Sequence, residues 1–225
     1  MQDSKHELGS AIALDQSAAP PQGKEGGIFQ YWPNRITAMR FVGALVLFAL
    51  FGLNAEIVEP VQAGTFMRLA FWIFIVTSLS DWLDGYLARS QNVVSAFGRI
   101  ADPFVDKVLV LGSMIFLATM PWSREDFPAW IVVTILAREF LITGIRGYIE
   151  SVGKPFPADG FGKAKMVLQC FAIGFALGGR AFNWPEPIYD FIRSGTSVVV
   201  WLTLIATVGS GVSYVFKTQR ILSAS

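Results

Sequence analysis

Cysteine and histidine are almost missing from this chain. Cys170 is the one thiol and His6 the one imidazole among 225 residues. A lone cysteine excludes an intrachain disulfide and a thiolate metal cluster, and it fits polar parts that face a reducing compartment. A lone histidine in a polar stretch excludes imidazole triads and histidine zinc sites. Charge is scarce as well: 16% of residues are charged while 53% are hydrophobic. That balance argues against a disordered chain and against an ordinary soluble enzyme. The formal net charge of +1 provides no overall field for nucleic acid. Any chemistry falls to carboxylates, arginine, lysine and hydroxyls.

Long apolar runs are abundant. A membrane-crossing helix needs about 20 mostly apolar residues. Six stretches qualify: 36–53, 65–87, 100–120, 127–149, 164–179 and 195–216. The fifth is the shortest and contains glycine. The expected fold is therefore all-α: a polytopic membrane protein of six transmembrane helices. Residues 1–27 mix Ser, Gln, Pro, Gly and charges without periodicity and read as a flexible tail, leaving 28–225 as the membrane domain. The tail lacks the apolar core of a secretory signal. Trp122, Trp130 and Trp184 stand near proposed span ends, as interface anchors do. Gly174, Gly178 and Gly179 suit close helix packing better than nucleotide binding, since no strand precedes them.

Loop charges set the expected orientation. The first-to-second loop holds Glu56 and Glu59, and the third-to-fourth loop holds Arg124, Glu125 and Asp126. The other side collects Lys24, Arg35, Arg89, Arg99, Arg146, Lys154, Lys163, Lys165, Lys217 and Arg220. Arg180 and Arg193 run against this trend. The positive-inside rule then puts both termini in the cytoplasm, in a bacterial inner membrane.

The acids break the apolar pattern in an informative place. Asp81 and Asp84 fall in the last turns of the second span, and Asp102 and Asp106 in the first turns of the third. Carboxylates at that depth are costly unless paired, hydrated or bound to a cation. The two spans run in opposite directions, so all four acids are expected near one cytoplasmic edge, around a polar cavity. Spacings of three and four put Asp81, Asp84, Gly85 and Ala88 on one stripe, and Gly98, Asp102 and Asp106 on another. Crowded carboxylates repel, and divalent cations relieve that repulsion. An all-oxygen site points to Mg²⁺ or Mn²⁺, with room for one or two ions that keep positions for phosphate oxygens.

The run Asp81-Trp82-Leu83-Asp84-Gly85-Tyr86-Leu87-Ala88-Arg89, eight residues, then Gly98-Arg99-Ile100-Ala101-Asp102-Pro103-Phe104-Val105-Asp106 resembles the signature of the CDP-alcohol phosphotransferase family. All eight specified positions are present at the family spacing. The resemblance implies six transmembrane helices and transfer of a substituted phosphate from a CDP-linked donor to an alcohol, releasing CMP. By the same resemblance, Asp81, Asp84, Asp102 and Asp106 hold divalent metal, and Asp106 is the general base. Asp81, Gly85, Ala88, Arg89 and Gly98 line the cytidine nucleotide site. A homodimer is also implied.

A second cluster bears on the acceptor. Arg138 lies mid-span beside Glu139, Arg146 follows two turns on, and Lys163 and Lys165 open the fifth span. These cations match an anionic acceptor, although Arg138 also has a structural partner available in Glu139, and the lysines can snorkel to the interface. The stretches 137–146, 162–169 and Pro33-Asn34-Arg35-Ile36-Thr37-Ala38-Met39-Arg40 resemble the phosphatidylglycerophosphate synthase branch of the family. The implied donor is CDP-diacylglycerol and the implied acceptor glycerol 3-phosphate, with Arg138, Arg146, Lys163 and Lys165 as phosphate contacts. Inositol phosphate or phosphatidylglycerol as acceptor is the near alternative, and an ion-coupled carrier the distant one. The absence of a detectable inverted repeat and the grouping of acids at one edge weigh against the carrier.

Overall fold

A computed structural model describes residues 32–55, 60–91, 96–153 and 160–223, with side chains described for 34–53, 64–80, 101–153, 162, 164–220 and 223. Six helices occupy nearly all of it: α1 (Trp32–Ala55), α2 (Pro60–Gln91), α3 (Ala96–Thr119), α4 (Ala129–Ser151), α5 (Gly160–Ala181) and α6 (Glu186–Ser223). No strand occurs among the described residues. Each expected span falls within or nearly within one helix. The tail expected over 1–27 lies outside the described residues.

Local chemistry marks the helix ends. Pro128 precedes α4, and the helix closes through Val152 and Gly153, whose amides donate to the carbonyls of Tyr148 and Glu150. Gly153 has φ of +73°, a left-handed conformation that suits a residue without Cβ. Helix α6 starts about nine residues before the apolar run. Glu186 and Pro187 open it, where a proline leaves no amide unsatisfied and an acid faces the positive helix end.

The helices pack as a closed ring, α1 on α2, α2 on α5, α5 on α6, α6 on α4, α4 on α3 and α3 on α1, with α3 also touching α5 across the middle. Leu47, Phe51, Phe74, Met114, Ile135, Ile173 and Leu177 fill the interior. Hydroxyls are buried there too, including Thr77, Ser113, Thr196, Thr203, Thr207 and Ser210. The outside is the apolar face: Phe191 is 78% exposed, Met39 73% and Phe140 67%. An exterior of large apolar side chains around hydroxyl-bearing helix contacts is the arrangement that lipid favours.

Among the described residues two helices are long and apolar enough to cross a membrane by themselves, over Asn34–Leu53 and Glu186–Arg220, and α2 carries a shorter apolar stretch over Gly64–Ser80. In α3, α4 and α5 the apolar run is interrupted by Asp102, Asp106 and Lys107, by Arg138, Glu139 and Arg146, and by Lys165 and Gln169. The interrupting residues line or border one cavity, as described below.

Glycine permits the closest approaches. A Cβ on Gly112 of α3 would stand 2.2 Å from Cζ of Phe48 on α1, and the Phe48 ring is stacked on Phe116 at 5.5 Å. Gly178 on α5 similarly faces Phe71 of α2, and Gly179 faces Ile192 of α6, which matches the packing role expected of that glycine group. The α1–α3 contact matters most, because it joins the helices that carry the acidic half of the site. Gly112→Ala should destabilise the fold by about 1–3 kcal/mol through overpacking, seen as a lower thermal unfolding midpoint in detergent. An unchanged midpoint would mean that Phe48 moves aside freely.

Candidate active site

Asp102 and Asp106 sit one turn apart on α3, so both carboxylates lie on the same side of that helix. Opposite them, α1 presents Thr37 and Arg40, three residues apart and both almost fully buried. Arg40 Nη1 lies 2.6 Å from Asp106 Oδ1 and Nη2 lies 3.5 Å from Asp102 Oδ1. The Thr37 hydroxyl donates to Asp102 Oδ1. The arginine side chain is 3% exposed, whereas Asp102 is 42% and Asp106 20% exposed. The cation thus anchors the acids from the buried side, and both acids keep part of their surface exposed.

That arrangement tests the divalent cation implied by the resemblance. The donor set is all oxygen, and a guanidinium already draws two carboxylates to one point as a cation would. Such a set suits Mg²⁺ or Mn²⁺. Among the described residues no group of three or more potential ligands gathers. Helix α2 runs through Asp81, Asp84, Gly85, Ala88 and Arg89, and α3 through Gly98, but their side chains lie outside the described residues, as does that of Lys163.

Asp106 also opens onto a cavity of about 450 Å³ bounded by α3, α4, α5 and α6, within the range of small-ligand pockets. Arg138, Arg146 and Lys165 line it, together with Lys107, Glu139 and Gln169. One oxygen of buried Glu139 serves two cations: Arg138 Nη1 at 3.0 Å and the Lys165 ammonium. Arg138 Nη2 donates to Ser210 on α6 at 2.9 Å, and its guanidinium lies 5.5 Å from the centre of the Tyr214 ring. Gly211 makes room for this crossing, since a Cβ there would stand 3.3 Å from Arg138 Cγ. The Arg138–Glu139 pair anticipated as a structural alternative therefore exists. It exists inside the cavity wall, which carries the cations Lys107, Arg138, Arg146 and Lys165 beside the acids Asp106, Glu139 and Glu150. The Nε atoms of Arg138 and Arg146 and Nε2 of Gln169 are buried with no hydrogen-bond partner among the described residues. The wall is rich in donors and suits an anion.

The structure therefore brings Asp106, Arg138, Arg146 and Lys165 to one cavity and sets Asp102 beside it. Sequence reasoning assigned no role to Thr37, Arg40, Lys107, Ser210 or Tyr214. Arg40 had a usable signal, because it is an ionisable residue inside the first apolar run. Lys107, whose ammonium donates to Thr143 at 2.5 Å, had a weaker one in its adjacency to Asp106. Ser210 and Tyr214 had none, since one hydroxyl and one ring in an apolar helix read as packing.

Comparison with known proteins extends this geometry. The chain is 35% identical over 153 residues to the CDP-diacylglycerol–glycerol-3-phosphate 3-phosphatidyltransferase of Bacillus subtilis (strain 168), covering 68% of this chain and 75% of that protein. It is 30% identical over 189 residues to the protein of the same name in Rickettsia bellii (strain RML369-C), covering 84% and 94%. It is also 29% identical over 198 residues to the cardiolipin synthase (CMP-forming) of Streptomyces coelicolor (strain ATCC BAA-471 / A3(2) / M145), covering 85% and 84%. The family profile described as CDP-alcohol phosphatidyltransferase matches residues 30–209, from the approach to α1 well into α6. A match over that length takes in both walls of the cavity, and the chain belongs to the CDP-alcohol phosphatidyltransferase family.

Proposed function

We propose that the chain is a phosphatidyltransferase that moves the phosphatidyl group of CDP-diacylglycerol to glycerol 3-phosphate, giving phosphatidylglycerophosphate and CMP. The observation that carries the reading is the shared cavity: the Asp106 carboxylate on α3 faces the same space as the cations Arg138, Arg146 and Lys165 on α4 and α5. A small alcohol bearing a phosphate matches both walls at once. The names of the Bacillus and Rickettsia relatives support the same acceptor.

In this reading all six helices cross the bacterial inner membrane with both termini and the cavity mouth on the cytoplasmic side. The apolar exterior and the loop charges support that placement. The homodimer rests on the family resemblance alone. The donor's acyl chains stay in lipid, and its nucleotide lies along Asp81, Gly85, Ala88, Arg89 and Gly98. Asp81, Asp84, Asp102 and Asp106 would hold one or two divalent ions, which when bound supply charge neutralisation for the diphosphate.

The chain's own groups carry the transfer. Arg138, Arg146, Lys163 and Lys165 hold the acceptor's phosphate and point its primary hydroxyl toward Asp106. The Asp106 carboxylate takes the hydroxyl proton as the oxygen attacks the phosphorus that bears diacylglycerol. One P–O bond forms, the bond from that phosphorus to the CMP oxygen breaks, and CMP departs with the bonding electrons. Positioning and charge matching supply most of the acceleration.

The similarity to a cardiolipin synthase favours a second reading, with phosphatidylglycerol as acceptor. Purified protein supplied with CDP-diacylglycerol, Mg²⁺ and each acceptor in turn separates the two. CMP release is expected with glycerol 3-phosphate, while turnover only with phosphatidylglycerol or inositol phosphate overturns the first reading. Solute flux without CMP release would instead indicate a carrier. Asp106→Asn should lower kcat by about 100- to 10,000-fold, the usual worth of a general base, and near-normal turnover would remove Asp106 from that role. Glu139→Gln leaves Arg138 and Lys165 without their shared carboxylate and should destabilise the fold by about 3 kcal/mol. Glu139→Asp should recover part of that loss in thermal unfolding, and an unshifted Glu139→Gln midpoint would deny Glu139 its structural share.

A further inference from the structure

Gln169 is a cavity residue that the transfer chemistry leaves unused. It lies on α5 one turn beyond Lys165, lines the cavity and is 3% exposed. Its Nε2 is buried with no hydrogen-bond partner among the described residues. An amide donor in that condition is destabilising until something meets it. The terminal torsion of glutamine is broad and roughly two-fold, so the amide can turn without leaving a staggered side-chain conformation.

The neighbours decide what it would meet. Arg138, Arg146, Lys165 and Lys107 are basic side chains on the same cavity, and such groups are stronger phosphate partners than a neutral amide. Asp106 is assigned to the attacking hydroxyl. Glycerol 3-phosphate has one polar group more, the secondary hydroxyl on the carbon between the attacking end and the phosphate. A neutral donor suits a neutral hydroxyl oxygen. Its place also fits, because α5 carries Lys165 and packs across the ring on α3, which carries Asp106.

Resting on the glycerol 3-phosphate reading, we infer that Gln169 is a specificity-determining residue that hydrogen-bonds the acceptor's secondary hydroxyl. It selects a phosphorylated triol-derived alcohol over a phosphorylated diol lacking that group. A buried amide left unmet penalises the wrong acceptor more than the met amide favours the right one.

The probe is 3-hydroxypropyl phosphate, which keeps the primary hydroxyl and the phosphate of glycerol 3-phosphate and lacks only the secondary hydroxyl. Wild type in detergent with CDP-diacylglycerol and Mg²⁺ should prefer glycerol 3-phosphate by about 10- to 100-fold in kcat/KM, the range of one buried hydrogen bond. Gln169→Met, close in volume and without a donor, should bring the preference to within about threefold by removing that bond. Gln169→Asn should fall between. The preference is a ratio within one preparation, so a partly unfolded variant does not alter it, and the wild-type ratio stands on its own if a variant fails to accumulate. Equal use of both acceptors by wild type would overturn the inference while leaving the enzyme reading intact. So would an undiminished preference in Gln169→Met, which would place Gln169 on the phosphate or in packing. Release of CMP with neither acceptor would overturn the enzyme reading itself.

Discussion

Charge buried in a low-dielectric bundle has to be matched where it stands, and the architecture of this protein follows from how two such matches are made. On one side Arg40 of α1 sits behind Asp102 and Asp106 of α3. On the other, Glu139 of α4 sits between Arg138 and Lys165. Removing the shared member, Arg40 or Glu139, takes the match from both of its partners at once, which is far more costly than never burying the group. These pairs therefore join α1 to α3 and α4 to α5, and the Arg138–Ser210 bond adds α6. The α1–α3 and α4–α6 contacts are two of the six that close the ring, and Asp106, Arg138, Glu139 and Lys165 of these networks also line the cavity, so stability and chemistry share residues here.

The two networks are opposite in sense, and that difference gives the cavity its polarity. In the first, one buried cation serves two acids that remain partly open; in the second, one buried acid serves two cations. An incoming substrate thus meets the Asp106 carboxylate on α3, with Lys107 beside it, and Arg138, Arg146 and Lys165 on α4 and α5, with Glu139 and Glu150 among them. A phosphorylated alcohol has a proton to lose at one end and an anion at the other. The complementarity is electrostatic and geometric, and it requires no nucleophilic Ser, Cys or His.

Much of this was legible before any coordinates. Helix existence followed from the length of the apolar runs, because a 20-residue run has few other fates. The starts of helices were less legible: α6 begins at Glu186, where an acid and a proline carry the helix beyond its apolar run. The acids and most of the cations announced themselves by violating hydrophobicity, which is why Asp102, Asp106, Arg138 and Lys165 stood out. Pairings were hidden. Nothing in the spacing of Thr37 and Arg40 says that they turn toward α3, since a three-residue interval fixes the face of α1 and not its neighbour. Gln169 falls within the stretch 162–169 but carries no charge, and its unmet amide becomes visible only once the helices around it are in place.

The proposed cation site on the acidic wall is tested most directly by Mn²⁺ binding to the purified chain, measured by electron paramagnetic resonance. The account predicts that protein quenches the free Mn²⁺ signal at a definite stoichiometry, and that Asp102→Asn combined with Asp106→Asn abolishes the effect while the helical content is retained. Undiminished Mn²⁺ binding by that double variant would contradict it.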